Sequence, residues 1–408
     1  MALPESLVLT DQAHQTLVEN YKYLHQHPEL SMAETATASW LNDQLIALGY
    51  ETVPVGGTGV VGILKNGEGP TVAYRADTDA LPVKEATGLD YASTATAKTP
   101  DGEEHPAMHA CGHDTHMSMA LATATLFANA KDQWSGTLLF ILQPAEETGE
   151  GAKAMVADRL WEKVPKADIV YGQHVMGLQA GTVSIVPGPA MAMADSWRVT
   201  VKGRGSHGSM PEKSIDPIVA AASMVTRLQT VVSREIGPKD TAVVTIGTFH
   251  AGTKENVIPD QAEFSLNVRT FTPEIREKVL GAIERIINAE AAASGAPNPD
   301  IVEINSFPQC FNDPAESEKF LETVRAELGE DNASVGESLM GSEDVGALAD
   351  AIGVPNVYWL LGGFEMDQYT KENPVPGNHS PHFAPVIEPT LRTGVRAATA
   401  AIYSKLGK

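Results

Sequence analysis

Three short apolar runs, 137–142, 168–171 and 354–361, constrain the fold of this chain more than any other feature. They lack the polar alternation of a half-exposed strand and are bounded by turn residues. Such runs read as strands of a parallel sheet covered on both faces. The residues just beyond them are chemically distinctive. Glu146-Glu147 comes just after the first run and His174 just after the second. A further strand, 71–74, ends at Arg75-Ala76-Asp77. Open α/β sheets gather their sites beyond the carboxyl ends of the strands. Asp77, the acid pair and His174 are therefore expected to converge in one cleft.

The rest of the chain divides around that expectation. Residues 10–48 read as helical, interrupted at His27-Pro28, with Asp11 and Ser31 as expected N-caps. Two short strands, 60–64 and 71–74, flank the turn Asn66-Gly67-Glu68-Gly69. The middle third changes rhythm. Strand 197–202, helix 217–232, strands 243–249 and 262–269, helix 273–293 and strand 301–304 give the order β-α-β-β-α-β of a ferredoxin-like arrangement. The expected class is thus α/β. A mixed-sheet domain of 1–189 and 306–408 is interrupted by an inserted α+β domain at 190–305.

Charge and cysteine content narrow the function. With 52 acidic against 29 basic residues, the net charge of −23 argues against nucleic acid and anionic membrane as partners. Two cysteines, Cys111 and Cys310, make no disulfide framework. No stretch reaches 18 consecutive apolar residues, and the N-terminus has neither a basic start nor an apolar core. A soluble cytoplasmic protein is the expectation.

The densest chemistry lies in His109-Ala110-Cys111-Gly112-His113-Asp114-Thr115-His116. Cys111 and His113 are one residue apart, and on an extended backbone both reach one ion. Gly112 allows the tight approach. A buried structural cysteine beside a loop histidine is the plain alternative. Asp114 and His116 suit supporting roles that orient ligands. Adjacent glutamates usually mark a solvated helix, but here an apolar strand precedes Glu146-Glu147. One carboxylate can hold a metal while its neighbour acts as general base. His174 and His379 are weak signals singly, although His379 sits in the turn-rich Gly377-Asn378-His379-Ser380-Pro381-His382. Asp77 is a candidate supporting acid. Two G-x-G-x-x-G matches, at 57–62 and 203–208, lack the strand-turn-helix context of a dinucleotide site and read as turns.

Taken in order, the motifs resemble the M20 metallopeptidase family, in its aminoacylase, hippurate hydrolase and indole-acetyl-amino-acid hydrolase branch. They run from His25-Gln26-His27-Pro28-Glu29-Leu30-Ser31 through the Tyr74–Pro82 stretch, the histidine-rich octapeptide, Gln143-Pro144-Ala145-Glu146-Glu147 and Gln173-His174-Val175. They continue with Gly205-Ser206-His207-Gly208, Asn256-Val257-Ile258-Pro259, Gly341-Ser342-Glu343-Asp344 and Gly377-Asn378-His379. The resemblance implies a di-metal catalytic domain with Cys111, His113, Glu147, His174 and His379 as ligands and Cys111 as the bridge. It implies Glu146 as general base, Asp77 as the acid that orients a ligand, and His207 as a donor to the oxyanion. It also implies Asn256 and Arg269 near a substrate carboxylate, which Arg269 would meet with its two-pronged guanidinium. Two divalent ions are expected, Zn or Mn first, then Co or Ni. The substrate expected is a small N-acyl amino acid with a free carboxylate, and the inserted domain would act as a lid and join a homodimer or a tetramer. Val345 after Ser342-Glu343-Asp344, and Ser206 where relatives carry a second glycine, depart from the pattern. Three other readings stand beside this one: a dipeptidase on the same scaffold, a thiol nucleophile at Cys111 with His113 as base, and a non-catalytic binding protein.

Overall fold

The computed structural model describes residues 3–99 and 102–408. The chain forms two compact units. The first comprises Met1–Ala190, Phe311–Glu337 and Asp344–Lys408, and the second Met191–Cys310 with Ser338–Glu343.

The first unit is built on one eight-stranded sheet. Its strands lie in the order Glu51–Pro54, Val60–Asn66, Gly136–Gln143, Thr71–Asp77, Ile169–Gln179, Asn356–Phe364, Val183–Ile185 and Ala333–Val335. The four central strands, from Gly136–Gln143 to Asn356–Phe364, are mutually parallel. Those are the elements with nearly unbroken burial, and Asn356–Phe364 is buried at every residue. Helices on both faces explain why apolar side chains occupy successive positions instead of alternate ones. Trp359, fully buried, stacks on Phe320 at 4.4 Å between ring centroids. Helix His113–Asn129 packs against the sheet and against helices Asp11–Gln26 and Thr390–Leu406, so it too is buried nearly all round.

Three local expectations give way. Strands Val60–Asn66 and Thr71–Asp77 do not pair with each other, because Gly136–Gln143 lies between them. His174 is not past a strand end: its strand continues to Gln179, with His174 opposite Leu360. The helix caps also differ. Thr10, not Asp11, caps the first helix, its hydroxyl oxygen accepting from the Ala13 amide at 3.2 Å. The second helix, Thr35–Ala47, is capped by the Glu29 carboxylate, which accepts from the Ala36 and Thr37 amides at 3.2 and 2.7 Å. Ser31 instead donates to Asp79.

The second unit has a four-stranded antiparallel sheet in the order Ala242–Ala251, Gln261–Thr270, Met193–Lys202 and Asp300–Phe307. Helices Pro217–Thr230 and Pro273–Ala293 cover one face, the arrangement expected of β-α-β-β-α-β. Its bounds differ from 190–305: the unit runs from Met191 to Cys310 and includes Ser338–Glu343. That short return is held by hydrogen bonds from the Ala192 amide to the Leu339 carbonyl and from Arg269 to Ser342. Among the described residues, no helix is long and apolar enough to cross a membrane.

Candidate metal centre

In the first unit the parallel strands bring the expected residues together. Asp77 ends its strand, and His174 lies on the neighbouring strand two residues beyond the Arg75–Gly172 pair. Glu146 and Glu147 come after Gln143, the last residue of the next strand. Cys111 and His113 enter at the start of helix His113–Asn129. The backbone between them is not extended. Gly112 adopts φ +88°, and His113 is already helical. The left-handed residue turns the two side chains toward one point. A β-carbon at Gly112 would lie 2.4 Å from Val175 Cγ1 and 3.2 Å from Phe383 Cε1. His379 arrives on a left-handed turn of its own, φ +72°, anchored by its amide to the Ala110 carbonyl at 2.7 Å.

Among the described residues five groups of potential ligand atoms result, and two of them share Cys111. One is Cys111, His113 and His174; the other is Cys111, Glu147 and His379. In each, the potential ligand atoms lie within 4.8 Å of one another. Cys111 Sγ is 3.4 Å from His174 Nε2, and Glu147 Oε2 is 3.2 Å from His379 Nε2. Glu146 stands beside both, with Oε2 3.9 Å from His113 Nε2.

The imidazoles are aimed by their other nitrogens. His113 Nδ1 donates to the Asp79 carbonyl at 2.8 Å, and His174 Nδ1 donates to the Val175 carbonyl at the same distance. Each ring therefore turns its Nε2 toward the cluster. His116 is committed on both sides. Its Nδ1 donates to Asp77 Oδ1 at 2.6 Å, and its Nε2 accepts from the Val175 amide at 2.9 Å. It is thereby spent as a ligand, although it lies with Asp77 and His113 in a third cluster of ligand-type atoms. Asp77 Oδ2 takes the Arg75 guanidinium at 2.6 Å, and Arg75 also reaches Gln143 and Asp344. Asp114 holds His25 at 2.6 Å, while His109 is buried without a hydrogen-bond partner.

The electrostatics call for a cation. Burial pushes the His113 imidazole down, but Asp77, Asp79 and Glu147 overcome it and raise its pKa to about 10. Burial and then the charges of Glu147, Glu146 and Asp77 push the Cys111 thiol well above its usual value. Burial and His116 hold His174 well below its usual value, so it is neutral. A thiolate at Cys111 thus needs a positive charge beside it, and Cys111 faces His174 rather than a base at His113. His113 Nε2 and Glu147 Oε1 are buried, lack a hydrogen-bond partner and lie 3.8 Å apart. Each belongs to a different one of the two clusters joined at Cys111, and a cation would take the place of the second proton that the surrounding acids hold on the His113 ring.

The remaining expected residues belong to the second unit. His207 Nδ1 accepts from the Ser209 amide at 3.1 Å, which leaves the Nε2 hydrogen to be donated. Asn256 lies on an exposed turn and receives the Gly208 amide on its carbonyl. Arg269 is more engaged than expected. Its Nε donates to Asn267 at 2.8 Å, and its Nη1 to Ser342 at 2.6 Å and the Met340 carbonyl at 3.4 Å. In this conformation Nε and Nη1 are both engaged, so the expected two-pronged fork is not open.

Sequence reasoning gave no role at the centre to Asp79, Asn378 and Asp344, which it quoted only within motifs, or to Ser31, which it read as a helix cap, and it did not single out Glu34. Asn378 Nδ2 lies 3.2 Å from the Cys111 and Val175 carbonyls and 3.7 Å from Cys111 Sγ. Its place beside His379 was the available signal.

Comparison with known proteins agrees with this geometry. The profile of peptidase family M20/M25/M40 matches residues 73–404. An N-acetylcysteine deacetylase of Bacillus subtilis is 40% identical over 289 residues, covering 69% of this chain and 72% of the relative. A hippurate hydrolase of Campylobacter jejuni is 39% identical over 331 residues, covering 79% and 82%. The crystal structure of Bacillus subtilis YXEP, described as a dinuclear metal binding peptidase, superposes with a TM-score of 0.74 at 30% identity, covering 96% of this chain and 99% of that one. On these grounds the chain belongs to peptidase family M20/M25/M40.

Proposed function

We propose that this protein is a metal-dependent amidohydrolase that cleaves N-acyl amino acids to a carboxylate and a free amino acid. The observation that carries the reading is the pair of clusters joined at Cys111, with Glu146 against them. The named activities of the deacetylase and hippurate hydrolase relatives support the substrate class. Cys111, His113 and His174 would hold one divalent ion, and Cys111, Glu147 and His379 the other. When bound, such ions polarise an amide carbonyl and lower the pKa of water.

The chain's own groups do the rest. Glu146, 5% exposed, takes a proton from the attacking water at its carboxylate and returns it to the leaving amide nitrogen. Asp77, Arg75 and His116 form a rigid support that keeps this end of the sheet from relaxing toward the charges. His207, with Nε2–H available, donates to the oxyanion that develops on the carbonyl oxygen. Arg269 and Asn256 receive the substrate carboxylate. Zinc or manganese as the native metal, with cobalt or nickel as substitutes, and a homodimer formed through the second unit in the cytoplasm belong to the same proposal.

The test is removal and return of metal. Dialysis against a chelator should abolish hydrolysis of N-acetyl, N-benzoyl and indole-acetyl amino acids, and Zn²⁺ or Mn²⁺ should restore it. Glu146→Gln should lower kcat by at least about a hundredfold while two ions remain bound. Full turnover by the stripped protein, or no turnover on the panel with two ions bound, would sink the proposal.

A further inference from the structure

We propose that the segment from Ser31 to Glu34 is a brace for the metal centre, with Ser31 and Glu34 as positioning residues that lock the Asp79 and Ala145–Glu147 peptides around it. The inference rests on the metal reading above.

Ser31 acts through Asp79. Its hydroxyl donates to Asp79 Oδ2 at 2.6 Å, and the same oxygen accepts the Glu147 amide at 3.0 Å. The Asp79 carbonyl receives His113 Nδ1 at 2.8 Å, and Asp79 Oδ1 lies 3.2 Å from that nitrogen. One fully buried acid thus orients groups on both sides of the centre, and Ser31 fixes the acid.

Glu34 acts on the other peptide. Its Oε1 accepts from the Ala145 amide at 2.9 Å, one residue before Glu146, and from the Met32 amide at 3.1 Å. Its Oε2 accepts the Thr58 hydroxyl at 2.6 Å. Ala145 and Met32 have φ of +48° and +62°, a region that residues with a β-carbon rarely adopt. A strained backbone persists only where its surroundings over-determine it, and here one carboxylate oxygen holds both strained amides.

Neither side chain is needed for its own helix. Glu29 caps the Thr35–Ala47 helix, and Glu34 makes no side-chain cap bond at that helix start. The segment is kept in place by the bond from the Ala80 amide to the Glu29 carbonyl at 2.8 Å and by the Leu30–Ala80 bridge. The polar groups of Ser31 and Glu34 are spent on residues 48 and 111 positions away, which carry the centre. Outer partners of this kind alter metal affinity by roughly 10–100-fold when removed.

The experiment measures zinc, not turnover. Full-length wild type, Ser31→Ala, Glu34→Ala and Glu34→Gln are stripped, titrated with Zn²⁺ against a chromophoric chelator, and melted without metal. Wild type should take up two ions. Ser31→Ala should bind zinc at least about tenfold more weakly while the stripped protein melts as wild type does. Glu34→Ala should weaken binding similarly, and Glu34→Gln, which keeps an acceptor for the Ala145 amide, should recover most of it. Should Glu34→Ala fail to fold, Ser31→Ala decides. Zinc affinity within twofold of wild type in Ser31→Ala overturns the brace alone. A wild-type protein that takes up no zinc overturns the metal reading, and the brace falls with it.

Discussion

Replacing Gly112 by alanine should cost this protein both stability and its metals. At φ +88° an L-residue pays roughly 1–2 kcal/mol for the left-handed backbone. The new β-carbon would also sit 2.4 Å from Val175 Cγ1, where van der Waals contact needs about 3.5–4.0 Å. Val175 and Phe383 are both fully buried, so neither can swing into solvent. Overpacking of this kind costs about 1–3 kcal/mol, for a total near 2–5 kcal/mol. The strain lands where it matters. The backbone of Val175 holds His116 through its amide and His174 through its carbonyl, so any retreat misaims the centre. Urea unfolding of the stripped protein gives the first quantity, and chelator competition the second, where a loss of at least about tenfold is expected. Gly49→Ala is the control. Gly49 has φ +85° and nothing within 4 Å of its would-be β-carbon, so only the backbone term applies and zinc affinity should not change. If Gly112→Ala loses no more stability than Gly49→Ala and binds zinc normally, the steric argument is wrong.

Two further outcomes arise from buried charge. Burial, then the Asp79 carboxylate, pushes the Glu34 carboxyl from 4.5 up to about 7, so the folded protein holds that proton more tightly than the unfolded chain. The stability this contributes is present below about pH 4.5 and is lost as pH rises through about 7, an effect of about 3 kcal/mol. Urea midpoints of stripped wild type and Glu34→Gln should therefore diverge across that window, with the variant gaining relative stability; parallel curves would refute the assignment. Arg75→Met should destabilise the stripped protein by about 3–5 kcal/mol, because Asp77 and Asp344 would keep their burial and lose their cation. A loss below about 1 kcal/mol in the same assay would mean that those carboxylates find other partners.

How much was legible in the sequence depended on the range of the interaction. The central strands announced themselves because burial on both faces leaves an apolar run, and the ferredoxin-like unit because its turns and periods are local. The grouping of Cys111, His113, Glu147, His174 and His379 was legible only through the ordered motifs of the family resemblance, since His174 and His379 are weak signals singly. The failures involve ordinary residues with distant partners. Ser31 sits four residues before a helix and looked like a cap, yet Glu29 reaches over that helix start and releases Ser31 to Asp79. Nothing local to Glu34 tells that its carboxylate spans to Ala145. His174 seemed to lie beyond its strand because polarity changes there, whereas the strand runs on beside Asn356–Phe364. Arg269 looked free for substrate because Asn267 and Ser342 are neutral and leave no charge pattern to read.

The central parallel strands carry a consequence for how the chain is made. Ile169–Gln179 is flanked in the finished sheet by Asn356–Phe364, which is translated roughly 180 residues later. At about 5–20 residues per second, that neighbour is missing for roughly 10–40 seconds of synthesis. During this interval Cys111, His113 and His174 have all been synthesised, while His379 has not been made. The growing chain therefore exposes an apolar strand edge, the kind of surface that invites aggregation, beside a half-built centre. Completion of the fold and completion of the second cluster wait on the same late stretch of polypeptide.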